Sequence, residues 1–254
     1  MKRILKGLMA AGAIAAAPAL AQEAAPPAAP SVQAATATDA NVAAAALPDK
    51  VTAIAPSGAA DGCELHVFPA ERMRSLITGW LSGFGAIGAA IDASSHAKQN
   101  ANNQSLLATA LDSPSQIDAL NSLDLRGLLK LSPATTIYTH SKPVDRHTMN
   151  KIKDRRSDSK AACYQELIVA DVLYQKAAIY GRSLKTLFMV RDFGTDNKID
   201  FEYKAWGGNG LKLFPPKEGE DAVAALDELV SVFKKNFTEY AGNEARAPRT
   251  PEKR

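Results

Sequence analysis

Residues 199–205, IDFEYKA, alternate without a break, with Ile199, Phe201, Tyr203 and Ala205 on one side and Asp200, Glu202 and Lys204 on the other. A period of two with one apolar face is a strand packed on one side and wetted on the other. Gly207-Gly208-Asn209-Gly210 then predicts a turn into a further strand, Leu211 to Phe214, which Pro215-Pro216 ends. Upstream, Leu167 to Tyr174 and Leu184 to Arg191 read as two more strands joined around Gly181, so the chain from Gln165 onward is an antiparallel meander. Downstream the period changes. Ala222, Leu226, Leu229, Val230, Phe233, Phe237 and Tyr240 form one stripe of a long helix over Asp221 to Ala241, with Gly242 as its stop. A helix layer on a mostly antiparallel sheet is the α+β solution.

The earlier part supplies the rest of this layer. Cys63 to Phe68 (CELHVF) is a first strand closed by Pro69, and Thr135 to His140 (TTIYTH) a second after Pro133. Ser113-Pro114-Ser115-Gln116 predicts an N-cap at Ser113, a proline at the first helical position and a capping-box glutamine. Behind it Ile117, Leu120, Leu128 and Leu131 keep helical spacing, broken near Asp124.

Residues 1–21, MKRILKGLMAAGAIAAAPALA, have the basic start, short apolar run and Ala19-Leu20-Ala21 cleavage pattern of an export signal, which implies a bacterial periplasm or exterior. No lipobox cysteine follows. The formal charge of the 254-residue chain is +3, but this leader holds Lys2, Arg3 and Lys6; without them 27 bases face 27 acids. A neutral mature chain is no general nucleic-acid binder. In an oxidising compartment the two cysteines, Cys63 and Cys163, predict a structural disulfide. Residues 22–60 hold 16 alanines and 5 prolines in 39 positions, too few large apolar side chains to offset their ordering entropy, so they read as a disordered tether. The expected layout is one domain over 61–242 and a frayed tail over 243–254.

No residue set argues for catalysis, a cofactor or a metal. Asp192-Phe193-Gly194 lacks every companion of the kinase triplet it spells and reads as a turn. Asp192, Asp196, Asn197, Asp200 and Glu202 lack the glycine and closing glutamate of a calcium loop. Of the histidines, His66 and His140 fall in the two early strands and become neighbours if those strands pair; His96 and His147 have no ligand spacing. Ser157 and Lys160 match Ser-x-x-Lys without its companions. Residues 142–160 carry seven bases against three acids, and Arg146, Lys151, Lys153, Arg155 and Arg156 form a candidate basic patch for an anionic partner; the alternative is a face balanced by acids elsewhere.

Ser75 to Ile91, SLITGWLSGFGAIGAAI, is 17 residues without a charge. As a helix it seams Gly79, Gly83, Ala86 and Ala90 on one side and crowds Ile77, Leu81, Phe84 and Ile91 on another. Two readings stay open: the domain's own buried helix, or a partly exposed segment for self-association or membrane contact, with Gly79, Trp80, Gly83, Phe84 and Ile87 as interaction candidates.

The run Gly83 to Ala93, GFGAIGAAIDA, resembles a glycine-rich segment ending in Ile-Asp-Ala of uncharacterised bacterial envelope proteins. The order strand, helix, strand, meander and long C-terminal helix resembles the small α/β domains of curli-secretion and penicillin-binding-protein activator lipoproteins. The resemblance implies an envelope assembly or accessory role without catalysis. The expected function is a non-enzymatic periplasmic module that binds an envelope protein or itself through its apolar segment or sheet edge. A periplasmic hydrolase or metal-dependent enzyme built on His66, His140 and nearby carboxylates is the alternative.

Overall fold

The computed structural model describes residues 48–249, apart from 57, 79–108, 178, 196 and 218. Seven strands form one sheet: β1 (Val51–Ile54), β2 (Cys63–Phe68), β3 (Arg74–Thr78), β4 (Thr136–His140), β5 (Cys163–Ala177), β6 (Gly181–Phe193) and β7 (Ile199–Leu211). Among the described residues three helices accompany it: α1 (Ser113–Asn121), α2 (Leu125–Leu128) and α3 (Ala222–Glu244). The strand order is β1-β4-β2-β5-β6-β7, and β3 adds to β5 beyond the end of β2. The sheet is therefore mixed within an α+β fold. β5, β6 and β7 make the expected antiparallel meander, whereas β2 runs parallel to both β4 and β5, and β3 parallel to β5.

One face of the sheet carries the main core. Leu65, Val67, Leu167, Val169, Leu184, Phe188 and Val190 meet Leu229, Phe233, Phe237 and Tyr240 of α3. Phe188 sits at the centre, its ring 5.2 Å from Phe237 and 5.3 Å from Tyr240. A bulge between Val169 and Asp171 shifts the parity of β5, so Val172 and Tyr174 continue the inward face that Leu167 and Val169 began. On the outer face Phe68, Ile168, Ala170, Leu187 and Met189 pack under Val144 and Met149 of the loop after β4.

The predicted turn at Gly207–Gly210 is not made. β7 runs straight through it, with Gly207 opposite Thr186 and Gly210 opposite Ser183. The glycine at 207 serves α3 instead: a Cβ there would lie 2.8 Å from the backbone oxygen of Asn236. Asn209 donates to Asn236 Oδ1 at 2.8 Å, and Asn236 donates to Leu184 O at 3.0 Å, which locks the helix at this close approach.

Four further boundaries differ from the sequence reading. Val51–Ile54 lies inside the expected tether, yet it pairs antiparallel with β4, because Arg126 of α2 donates to Ile54 O at 3.1 Å and Asp49 anchors the strand's start. The 75–91 helix begins instead as strand β3, where the free edge of β5 past the end of β2 offers Leu173–Ala177 for pairing; residues 79–91 lie outside the described residues. The N-cap of α1 is Asp112, which accepts from Ser115 N at 3.0 Å. Gln116 makes no capping box; it is buried and accepts from Ala70 N at 2.8 Å, tying α1 to the turn after β2. α3 starts at the expected Asp221 cap but continues through Gly242 to Glu244. The expected frayed tail is docked as far as Arg249, which pairs with Asp192 and Glu244 and lies over the Phe201 ring at 4.5 Å.

Cys63 and Cys163 are register partners on β2 and β5 and form the expected disulfide, with Cα atoms 4.5 Å apart. Among the described residues no helix is long and apolar enough to cross a membrane.

Candidate functional site

Alternation places Glu64, His66 and Phe68 of β2, Tyr138 and His140 of β4, and Tyr164 and Glu166 of β5 together on the outer face. His66 and His140 do become neighbours, at 4% and 3% exposure. His66 Nδ1 is 2.9 Å from His140 Nε2. His140 Nδ1 is 2.5 Å from Asp49 Oδ2, and His66 Nε2 is 3.0 Å from Glu64 Oε2. Ser159 Oγ then donates to the same Glu64 oxygen. The result is a chain from Asp49 through two imidazoles and Glu64 to a serine hydroxyl. Aromatic rings hold it in place: Tyr138 and Tyr164 flank His66 at 4.8 and 4.6 Å, and Phe68 stacks on His140 at 4.1 Å.

Proton counting shows what this chain does. The imidazoles take part in three of its four hydrogen-bonded gaps, and two neutral imidazoles bring only two protons to those three. With both rings neutral, one of the three gaps is left without a proton. Burial pushes His66 below the ordinary histidine range, against the upward pull of Glu64. Burial also pushes Asp49 up, but the bonds from His140 and the Lys142 N–H outweigh it and hold that carboxyl below its ordinary range. All four ring nitrogens are engaged, which leaves no lone pair aimed at a metal or substrate. Among the described residues no group of three or more His, Cys, Asp or Glu is arranged to hold a metal ion.

Next to the histidines the same outer row continues as Glu166, Arg191 and Glu202 across β5, β6 and β7. Glu166 and Arg191 are fully buried. Glu166 accepts from Arg156 N and Nη1, both at 2.7 Å, and from Tyr164 OH at 3.0 Å. Burial, then the Glu166 charge, push the Tyr164 phenol far above its ordinary range. Arg191 donates to Glu202 at 2.7 Å and to Ile152 O at 2.9 Å.

This layer disposes of much of the basic patch. Arg156 is turned inward onto Glu166, Arg155 lies over the Tyr164 ring at 4.6 Å, and Arg146 faces Asp171 at 3.7 Å. Lys151 and Lys153 remain exposed. Two of the segment's bases, Arg146 and Arg156, thus meet the buried carboxylates Asp171 and Glu166 that it roofs. Ser157 is bonded to Tyr164 OH at 3.1 Å, and Gly194 closes a turn by donating to Lys198 O at 2.9 Å. Glu202 of the rejected calcium loop pairs with Arg191. Of the interaction candidates, Gly79, Trp80, Gly83, Phe84 and Ile87 lie outside the described residues.

Beyond the roof, the outer face of the same strands is open among the described residues. Leu76, Leu173, Gln175, Lys185, Trp206, Gly207 and Gly208 line a shallow groove of about 540 Å³. Trp206, which the sequence reading placed beside a turn, is 51% exposed there. Its strand partner Leu187 is buried, and the neighbouring outward position, Gly208, has no side chain to cover the indole. The misplaced turn hid it.

No protein family and no curated protein matches this sequence. Among solved structures, the PelC dodecamer from Paraburkholderia phytofirmans is similar at 7% identity and a TM-score of 0.23, over 74% of this chain and 96% of that one. A likeness at that score carries no argument about this chain.

Proposed function

We propose that this chain is a non-enzymatic exported module that binds another component of the bacterial envelope with the open outer face of its sheet. The observation that carries the reading is the groove around Trp206. Its volume suits a ligand or a protruding side chain, its walls are apolar and aromatic, and its polar groups are a lysine, a glutamine and glycine backbone rather than an acid–base pair. The disulfide fits an oxidising compartment, in keeping with the export signal of residues 1–21.

A photo-crosslinking residue in place of Lys185, on the groove rim, tests this in envelope extract. A discrete adduct is expected, absent from the same label at exposed Lys235 and lost when Trp206→Ser is added. No adduct at 185 sinks the reading.

The hydrolase alternative draws on the aligned Ser159, Glu64, His66, His140 and Asp49. Stoichiometric metal in the purified protein, or hydrolysis abolished by His66→Gln, would establish it in place of the binding role.

A further inference from the structure

The turn between β5 and β6 carries Ile179 and Tyr180 at 88% and 89% exposure, the most exposed large hydrophobics of the described residues. Three-residue hairpin loops are ordinarily filled by Gly, Asn, Asp or Ser, whose conformational freedom or short polar side chains suit a tight reversal. Gly181 meets that need here, with φ of +72°. The turn geometry therefore asks nothing apolar of 179 and 180, and neither belongs to a core cluster of the described residues. Single exposed hydrophobics are ordinary. Two in a row at the end of a long hairpin, with Leu213 half-exposed on the adjoining loop, form a patch. Arg182 fixes that loop beside the turn, donating to Pro215 O at 3.0 Å and to Lys212 O.

The charge around the patch has one sign along the hairpin. From Val172 to Arg191 there is no acid, and Lys176, Arg182, Lys185 and Arg191 are its charged residues. Lys176 and Arg182 face each other across the base of the turn, and the Arg182 guanidinium bonds Lys212 O of the adjoining loop. Glu228, the acid beside this loop, accepts from the N–H groups of Lys212, Leu213 and Phe214; these bonds and the Arg182 charge outweigh burial and keep it ionised, facing the loop backbone. β3 ends at this turn too, with Thr78 opposite Ala177, and the sequence that follows carries no charge as far as Ile91.

We infer that the β5–β6 turn is a lipid-contact tip, which seats Ile179 and Tyr180 in the interfacial region of an anionic bilayer. An aliphatic side chain beside a tyrosine matches the interface, where an apolar body enters and a phenol stays at headgroup level. The Arg182 charge, held at the base of the turn on Pro215 O and Lys212 O, and the charges of Lys176 and Lys212 act on the headgroups through their field rather than by direct contact. The cation-only hairpin supplies the attraction that draws such a tip to anionic lipid. The tip lies apart from the Trp206 groove and does not depend on the binding role proposed for it.

The test compares wild-type and variant chains purified in the same processed form, floated with vesicles of phosphatidylcholine and phosphatidylglycerol at three to one, and with phosphatidylcholine alone. Wild type should float with the anionic vesicles, less so in high salt. Ile179→Ser with Tyr180→Ser should weaken that binding by about tenfold or more, because the tip's buried apolar area is what holds it; the melting temperature should not move. Tyr180→Trp should give indole emission that shifts to the blue when vesicles are added. Trp206→Ser should float like wild type. The inference is overturned if wild type ignores the anionic vesicles, if the double variant floats equally well, or if the Tyr180→Trp emission stays unshifted while the protein floats. A protein adduct formed at the tip without vesicle binding would overturn it in favour of a protein partner. None of these failures touches the crosslinking result at position 185.

Discussion

The outer face of strands β5, β6 and β7 is finished in two ways. Near the disulfide it is roofed by the loop after β4 and packed with charge: Glu166, Arg156, Arg191 and Glu202 pair beside the histidine chain. At the far end the same face has no such roof among the described residues and carries Leu76, Leu173 and Trp206 around glycines. The charged half is buried and the apolar half is open, the reverse of simple burial rules. Buried charge is tolerable only where every member has a partner, so the roofed half is built for a fixed conformation. Open apolar surface has no such internal account, which is why we assign binding to the other half.

The comparison breaks most sharply at Glu166. Glu166→Ala removes the partner of Arg156 and one acceptor of Tyr164, and should cost about 3–5 kcal/mol in urea unfolding, since an unpaired charge stays buried. A loss under ~1 kcal/mol would mean that the roof is not held by this pair. Opening the disulfide by Cys63→Ser with Cys163→Ser should cost up to about 4.7 kcal/mol on the chain-entropy account, with measured values for such bridges nearer ~2–4 kcal/mol. Gly207→Val sharpens the other half. Its new side chain must push the Asn236 backbone away, an overpacking cost of about 1–3 kcal/mol.

pH separates the two halves further. His66 has a folded pKa lowered below the ordinary value of about 6.5, so between those two values the unfolded state binds more protons. The stability contributed by the neutral ring is present above ~6.5 and is lost as pH falls through the native value. Wild type should therefore lose melting temperature from pH 7 to 5 more steeply than His66→Gln. Asp192 and Glu244 have the opposite sign, because burial raises both carboxyls against the pull of Arg249. Arg249→Ala should destabilise by about 2 kcal/mol at neutral pH and by less near pH 4, where the carboxyls are protonated. The smallest effect on stability belongs to Trp206→Ser, within ~0.5 kcal/mol for a surface change, while crosslinking from position 185 disappears.

The legible parts were those where one residue's neighbours along the chain decide its fate. The strand at Cys63–Phe68, the Asp221 cap and the stripe of α3 follow from local period and caps. The Cys63–Cys163 bond follows from an even cysteine count read beside the export-signal pattern of residues 1–21. What sequence could not deliver depends on partners far along the chain. Gly207 reads as a turn until α3 lies across it, and Val51–Ile54 reads as tether until β4 is beside it. The basic run reads as a patch until Glu166 and Asp171 are seen beneath it. His66 and His140 were within reach because both lie in recognisable strands; Asp49 and Ser159, on irregular segments 110 residues apart, were not.

The disulfide has a consequence for how this protein can be cut. Cys63 and Cys163 bracket β3, α1, α2, β4 and the whole roofing loop, a separation of 100 residues. A protease that nicks the chain once anywhere between them leaves two pieces still joined through sulfur, with β2 still stitched to β5. Such a molecule runs as one band without reductant and two with it. Damage to that interval thereby becomes a survivable event rather than the loss of the molecule.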